Sequence, residues 1–187
     1  MAGRIMIETE RLILREFTED DAEVNLRLGI DPHVLRWTRQ PLDGLEHSLQ
    51  VIRDFPMADY RKHGFGRWVV VLKSTGAMIG WSGLKFLEDT REVDIGYRFL
   101  SEHWGKGYAT ESSRPCLEYG FKRLGLDYII AFALADNAAS IRVLTKLGLT
   151  KTGMVQHFDL PHSRFELKRT TWEESVTSQP LPSSGSP

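Results

Sequence analysis

HWGKGYATES, residues 103–112, sets two glycines around a lysine directly before a stretch of helical periodicity. A helix N-terminus points several backbone N–H groups at one place, and a preceding turn without bulky side chains lets a phosphate approach them. GKG fits such a cradle, although a glycine pair between strand and helix also arises for backbone reasons alone. A Walker A loop is excluded, because Gly105-Lys106 is followed by Gly107 and has no glycine five positions upstream. A dinucleotide fingerprint fails as well. Thr110 stands where its third glycine belongs, and Asp127 begins the next strand instead of ending it.

Upstream, GRWVVVLK (66–73), AMIGWSGLKF (77–86) and EVDIGYRFL (92–100) read as strands joined by spacers short enough for antiparallel hairpins. Downstream, Ala109, Ser113, Cys116, Leu117, Gly120, Phe121 and Leu124 fall on one helical face, ended by Gly125. Pro115 lies inside that helix and is expected to bend it or spoil a turn. DYIIAFAL (127–134) is an apolar run, expected as a strand buried on both faces in a parallel pairing. Strand, glycine turn, helix and strand then form one βαβ unit. Asn137 is placed to cap a helix through Leu147, with Gly148 closing it, and strand candidates follow near 150–157 and 164–171.

Toward the N-terminus, RLILREF (11–17) alternates as a first, half-buried strand. Thr18, with Asp21 three residues on, caps a short helix to about Leu28. Residues 31–41, with Trp37, read as a loop or short helical turn, and a helix from Leu45 toward Lys62 is expected to be disturbed at Pro56.

The 187 residues suit one domain, taken as 1–174, with the Pro- and Ser-rich 175–187 as a disordered tail. Lys and Arg number 24 against 25 Asp and Glu, so no general field draws in nucleic acid or an anionic membrane. The N-terminus has no sustained apolar run, so neither a signal peptide nor a membrane span is expected. Cys116 has no second cysteine to pair with, which favours a reducing cytoplasm. The scattered histidines and the lack of C-x-x-C or H-E-x-x-H spacing predict no metal. A homodimer is compatible with all of this.

WGKGYATE (104–111) resembles the acetyl-CoA pyrophosphate motif of the GNAT superfamily of N-acetyltransferases, in its ribosomal-protein N-terminal acetyltransferase-like branch. EVDIGYRFLSEHW before it, DNAASIRVLTKLGLTKTG after it and TERLILREFTEDDA near the start extend the likeness over roughly residues 7–174. The resemblance implies a mixed α/β fold: a mostly antiparallel sheet of about seven strands, its fourth and fifth parallel and splayed, flanked by about four helices. It further implies that Phe99 and Leu100 lie along pantetheine. The N–H groups of Gly105, Lys106, Gly107, Tyr108, Ala109 and Thr110 then face the pyrophosphate. Trp104 lies at the same site, as packing more than as a phosphate donor. Asn137 turns to the cofactor, caps its helix, or does both. Arg142 and Lys146 either meet the nucleotide's phosphate or stay solvated.

Acetyl transfer to an amine needs a deprotonated amine, a polarised thioester carbonyl and a stabilised thiolate. By family analogy the N–H groups near Ile95 and Gly96 are oxyanion donors. Ser140 is the candidate acid toward the sulfur, or else only completes its helix N-terminus. Glu92 and Asp94 share one strand face and are candidate bases, or else solvent-facing residues. Lys168 stands where the branch often has tyrosine, which removes that acid. Trp37, His157, Phe158 and Asp159 are candidates for the acceptor pocket. The expected reaction is acetyl transfer from acetyl-CoA to a primary amine, on a small molecule or a peptide N-terminus. A CoA-binding module without turnover and a transferase of longer acyl groups are the alternatives.

Overall fold

The computed structural model describes residues 3–157 and 160–178. Its strands are β1 (Ile5–Glu8), β2 (Leu12–Arg15), β3 (Arg67–Leu72), β4 (Ala77–Leu87), β5 (Glu92–Phe99), β6 (Tyr128–Leu134), β7 (Thr150–His157) and β8 (Leu160–Lys168). Its helices are α1 (Ala22–Ile30), α2 (Pro32–Thr38), α3 (Gly44–Asp54), α4 (Pro56–His63), α5 (Tyr108–Lys122), α6 (Ala138–Lys146) and α7 (Arg169–Thr177). One sheet joins the strands in the order β1-β2-β3-β4-β5-β6-β8-β7, and every neighbouring pair except β5 and β6 is antiparallel.

The mixed α/β architecture matches the expectation, with differences of detail that have local causes. The sheet gains an eighth strand because IMIE pairs with β2, so the expected fourth and fifth strands are β5 and β6. The helix expected over 45–62 divides at Phe55, where Pro56 starts a new helix at its first position. Residues 31–41 hold a capped helix: the Asp31 side chain accepts from the His33 N–H, and Pro32 opens α2. The last strand begins at Leu160 and ends at Lys168, so 169–171 belong to α7. Residues 175–177, expected to open the tail, complete α7, while 179–187 lie outside the described residues. Helix α5 runs unbroken through Pro115, whose absent N–H leaves the Glu111 carbonyl without its helical donor.

The sheet has an apolar face on each side, as the period-two alternation of β3 dictates. Trp68 and Val70 point to the layer of α5 and α6, where Cys116, Leu117, Phe121 and Leu144 bury with them. Val69 points the other way, into a smaller cluster with Leu28 of α1, Ile52 of α3, Met78 and Leu100. Each such fully buried aliphatic side chain contributes roughly 1.5–3 kcal/mol.

The register of β6 is asymmetric. It pairs with β8 from Tyr128↔Lys168 to Leu134↔His162, but with β5 only at Asp94↔Ile130. The apolar run of β6 therefore reflects cover on both faces and antiparallel pairing with β8, more than the parallel pairing expected. Past Asp94 and Ile130 the two parallel strands part toward Phe99 and Leu134, leaving strand-edge groups without a strand partner. Helix α5 begins just beyond that gap.

Candidate active site

Gly105 and Gly107 sit at φ of 75° and 83°, the left-handed region that favours glycine. A Cβ at Gly105 would meet nothing within 4 Å, so the turn ahead of α5 is open. No side chain caps α5, and the Glu111 N–H, bonded to the Gly107 carbonyl, closes its first turn. The uncapped N–H groups ahead of it face outward with the positive end of the helix dipole.

The turn is held from a distance. Glu111 Oε1 accepts from Thr9 Oγ1 at 2.6 Å and the Arg11 N–H at 3.0 Å, and its Oε2 accepts from Arg11 Nε at 2.7 Å. Arg11 also lies over the Tyr108 ring, 4.6 Å from its centroid. Thr9 and Arg11 thus fasten the start of β2 to the first turn of α5.

A cavity of about 450 Å³ runs from this turn along the gap between β5 and β6. Phe99, Trp104, Gly105, Gly107, Tyr108, Ala109 and Thr110 line it on one side, and Asn137, Ser140, Arg142 and Lys146 on the other. Lys106 is exposed and outside this lining, so its side chain is not part of the wall. The Asn137 side chain accepts from the Ser140 N–H at 3.0 Å, fixing the start of α6. Trp104 donates its indole N–H to the Phe99 carbonyl at 2.8 Å, which pins the exit of β5.

Leu100 departs from the expectation. Its N–H donates to the Ile79 carbonyl, and its side chain is buried in the cluster beneath α1 and α3. The β4–β5 register continues without a break from Gly80↔Phe99 to Leu87↔Glu92. Antiparallel alternation then turns the N–H groups of even-numbered β5 residues to β4 and those of Ile95, Tyr97 and Phe99 to the β6 side, where the Asp94↔Ile130 bridge takes up Ile95 and leaves Tyr97 and Phe99 at the gap. Gly96, expected as an oxyanion donor beside Ile95, therefore has its N–H on the wrong side, and Tyr97 takes that place.

Sequence reasoning overlooked the side chain of Tyr97. Its hydroxyl lies 2.9 Å from Ser140 Oγ and 3.1 Å from the Ser140 carbonyl. Burial pushes its pKa up to about 12, against the opposing effect of the Ser140 hydrogen bond, so the phenol is neutral at ordinary pH. Ser140 lines both this cavity and a second one of about 200 Å³ on the other side of the gap.

Trp37, Thr38 and Gln40 roof the second cavity, and Arg67, Trp81, Asp94, Gly96 and Arg98 floor it. Arg67 holds Asp94 through Nη2, 2.8 and 2.7 Å from the two carboxylate oxygens. A Cβ at Gly96 would lie 2.7 Å from Arg67 Nη2, so the absence of a side chain there makes room for the guanidinium. Glu92 is committed elsewhere, accepting from Arg164 at 2.7 Å, and lines neither cavity. Of the two candidate bases, only Asp94 borders the site. Trp37 lines both cavities, whereas Phe158 and Asp159 lie outside the described residues.

Among the described residues, no group of three or more His, Cys, Asp and Glu side chains is arranged to hold a metal, and no helix is long and apolar enough to cross a membrane.

Residues 11–150 match the family model of the acetyltransferase (GNAT) domain. The chain belongs to the GNAT acetyltransferase family. It is 34% identical over 155 residues to the uncharacterized N-acetyltransferase YoaA of Bacillus subtilis (strain 168), covering 82% of this chain and 87% of that protein. It is 27% identical to the FsC-acetyl coenzyme A-N(2)-transacetylase of Aspergillus fumigatus, over 89% of this chain and 77% of that protein. The crystal structure of a ribosomal-protein-S5-alanine acetyltransferase from Vibrio fischeri superposes with a TM-score of 0.72 at 22% identity, covering 89% of this chain and 97% of that one. This GNAT chain is thus an acetyl-CoA-dependent acetyltransferase, with the splayed sheet and glycine turn that its sequence predicted.

Proposed function

We propose that this GNAT enzyme moves the acetyl group of acetyl-CoA to a primary amine by direct transfer, with both substrates bound together. The observation that carries the reading is continuity: one cavity runs from the uncapped turn of α5 along the β5–β6 gap to Ser140, where the second cavity meets it. The residues fit the donor. The α5 turn offers N–H groups to a pyrophosphate, and the unpaired edge of β5 offers Tyr97 and Phe99 to an extended amide chain. Arg142 and Lys146 on the cavity wall suit the nucleotide's remaining phosphate. The named activity of the Aspergillus relative, which takes the acetyl group from acetyl coenzyme A, supports the same donor.

Acetyl-CoA supplies the activated acyl group, and the chain supplies position, charge and protons. The N–H group of Tyr97, past the Asp94–Ile130 bridge, is the polarising donor for the thioester oxygen. Ser140 donates the proton toward the departing sulfur, with the neutral Tyr97 hydroxyl behind it to hold or replace that proton. Both carboxylate oxygens of Asp94 already accept from Arg67, so water in the second cavity is better suited to take the amine's proton. The buried lone cysteine suits a reducing cytoplasm.

Thermal stabilisation by CoA and acetyl-CoA, with NAD as control, tests the cradle. Thiol release across a panel of amines tests transfer. Stabilisation by NAD and none by CoA would sink the reading, and binding without turnover on any amine would favour a CoA-binding module.

A further inference from the structure

We infer that the amine acceptor carries a carboxylate, which Arg98 receives in the second cavity; the inference rests on the acetyl-transfer reading above. Asp94, Gly96 and Arg98 alternate on the face of β5 that floors this cavity. Trp81, opposite Arg98 on β4, lies between two guanidiniums, with Arg98 at 5.2 Å and Arg67 at 5.5 Å from its ring centroid. The two arginines differ in what they face. Arg67 is balanced by the paired Asp94 carboxylate, whereas Arg98 forms no ion pair among the described residues. Its polar contact is to the neutral Gln40 side chain, at 3.0 Å.

Arg98 borders both cavities, so its guanidinium stands where the acceptor approaches Ser140. Asp94 is the one acidic side chain among the described residues lining the two cavities, and Arg67 already holds it. Burial, with repulsion from Arg67, lowers the Arg98 pKa to about 10, the direction expected of a half-buried cation without a compensating anion. A guanidinium in that position gains most from a planar carboxylate, through two parallel hydrogen bonds. A polycationic amine would meet the opposite field.

The source of the carboxylate is either a free α-amino acid or an acidic residue at a peptide N-terminus, and matched pairs separate them. The test measures binding to the CoA-loaded enzyme by calorimetry. One pair is L-phenylalanine against L-phenylalaninamide, and the other is Asp-Ala-Phe-amide against Asn-Ala-Phe-amide, with spermidine as the polycation. In at least one pair the carboxylate member should bind about tenfold tighter, and Arg98→Gln should abolish that preference. Equal binding within both pairs, tighter binding of spermidine, or a preference that survives in Arg98→Gln overturns the inference. The wild-type comparison stands without the variant. Because binding is read without turnover, this result is separate from the acetyl-transfer reading, which fails if a bound amine yields no N-acetyl product with acetyl-CoA.

Discussion

The Tyr97 hydroxyl on β5 and Ser140 Oγ at the start of α6 lie 2.9 Å apart across the mouth of the strand gap. Two hydroxyls joined this way form a short proton path, and the outer one, Ser140, is shared by both cavities. Ser140→Ala is expected to lower kcat by about 100-fold and Tyr97→Phe by about tenfold, with smaller changes in KM. Unchanged kcat in Ser140→Ala, measured by thiol release, would remove it as the acid.

The raised pKa of Tyr97 also has a sign in stability. The neutral phenol is favoured in the fold, so its contribution is whole below the ordinary tyrosine pKa of 10.0 and is lost as pH rises toward about 12. Denaturant melts of wild type and Tyr97→Phe should therefore lose stability differently above pH 10.0, with the wild type falling more steeply. Parallel curves over that range would contradict the assignment.

Glu111 behaves in the opposite sense. Burial alone would raise its pKa, but the hydrogen bonds from Thr9 and Arg11 outweigh it and hold the carboxyl below its ordinary value of 4.5. A depressed pKa gives stability that is present above 4.5 and fades as pH falls below it. Glu111→Gln should cost about 1 kcal/mol at neutral pH, and acidification should narrow the gap to wild type. Urea melts at neutral and acid pH check this; a gap that widens on acidification would contradict it.

Gly96→Ala separates acceptor from donor. Its new Cβ would press on the end of the Arg67 side chain, which hydrogen bonds hold to Asp94 and Gly83, so stability should fall by about 1–3 kcal/mol. Shifting Arg67 disturbs Asp94 and the floor of the second cavity. The KM for the amine should rise severalfold while acetyl-CoA affinity stays close to wild type. An effect confined to acetyl-CoA would mean that the acceptor side has been misplaced.

Much of this site was legible because its signals are local. The GKG turn, the strand before it and Asn137 at its cap position depend on backbone conformation within a few residues, and each appears as read. What escaped depends on which way strands face their neighbours. Leu100 looked like a pantetheine contact by position, but its N–H turns to β4. Glu92 and Asp94 looked alike by alternation until Arg164 and Arg67, from distant segments, claimed them differently. Tyr97 carried no motif of its own; only the packing of α6 against β5 brings its hydroxyl to Ser140. Alternation along DIGYR could have placed Arg98 with Asp94, but not shown that it lacks an acid.

The central claim is that the N-terminus of α5 holds the pyrophosphate of acetyl-CoA. Gly107→Asn and Gly107→Asp place side chains of nearly equal size at the same positive φ, which both tolerate better than most residues. They differ chiefly in charge. Calorimetric titration with acetyl-CoA should show some loss of affinity in Gly107→Asn and at least a further tenfold or so in Gly107→Asp. Affinity unchanged from wild type in both variants would contradict the account.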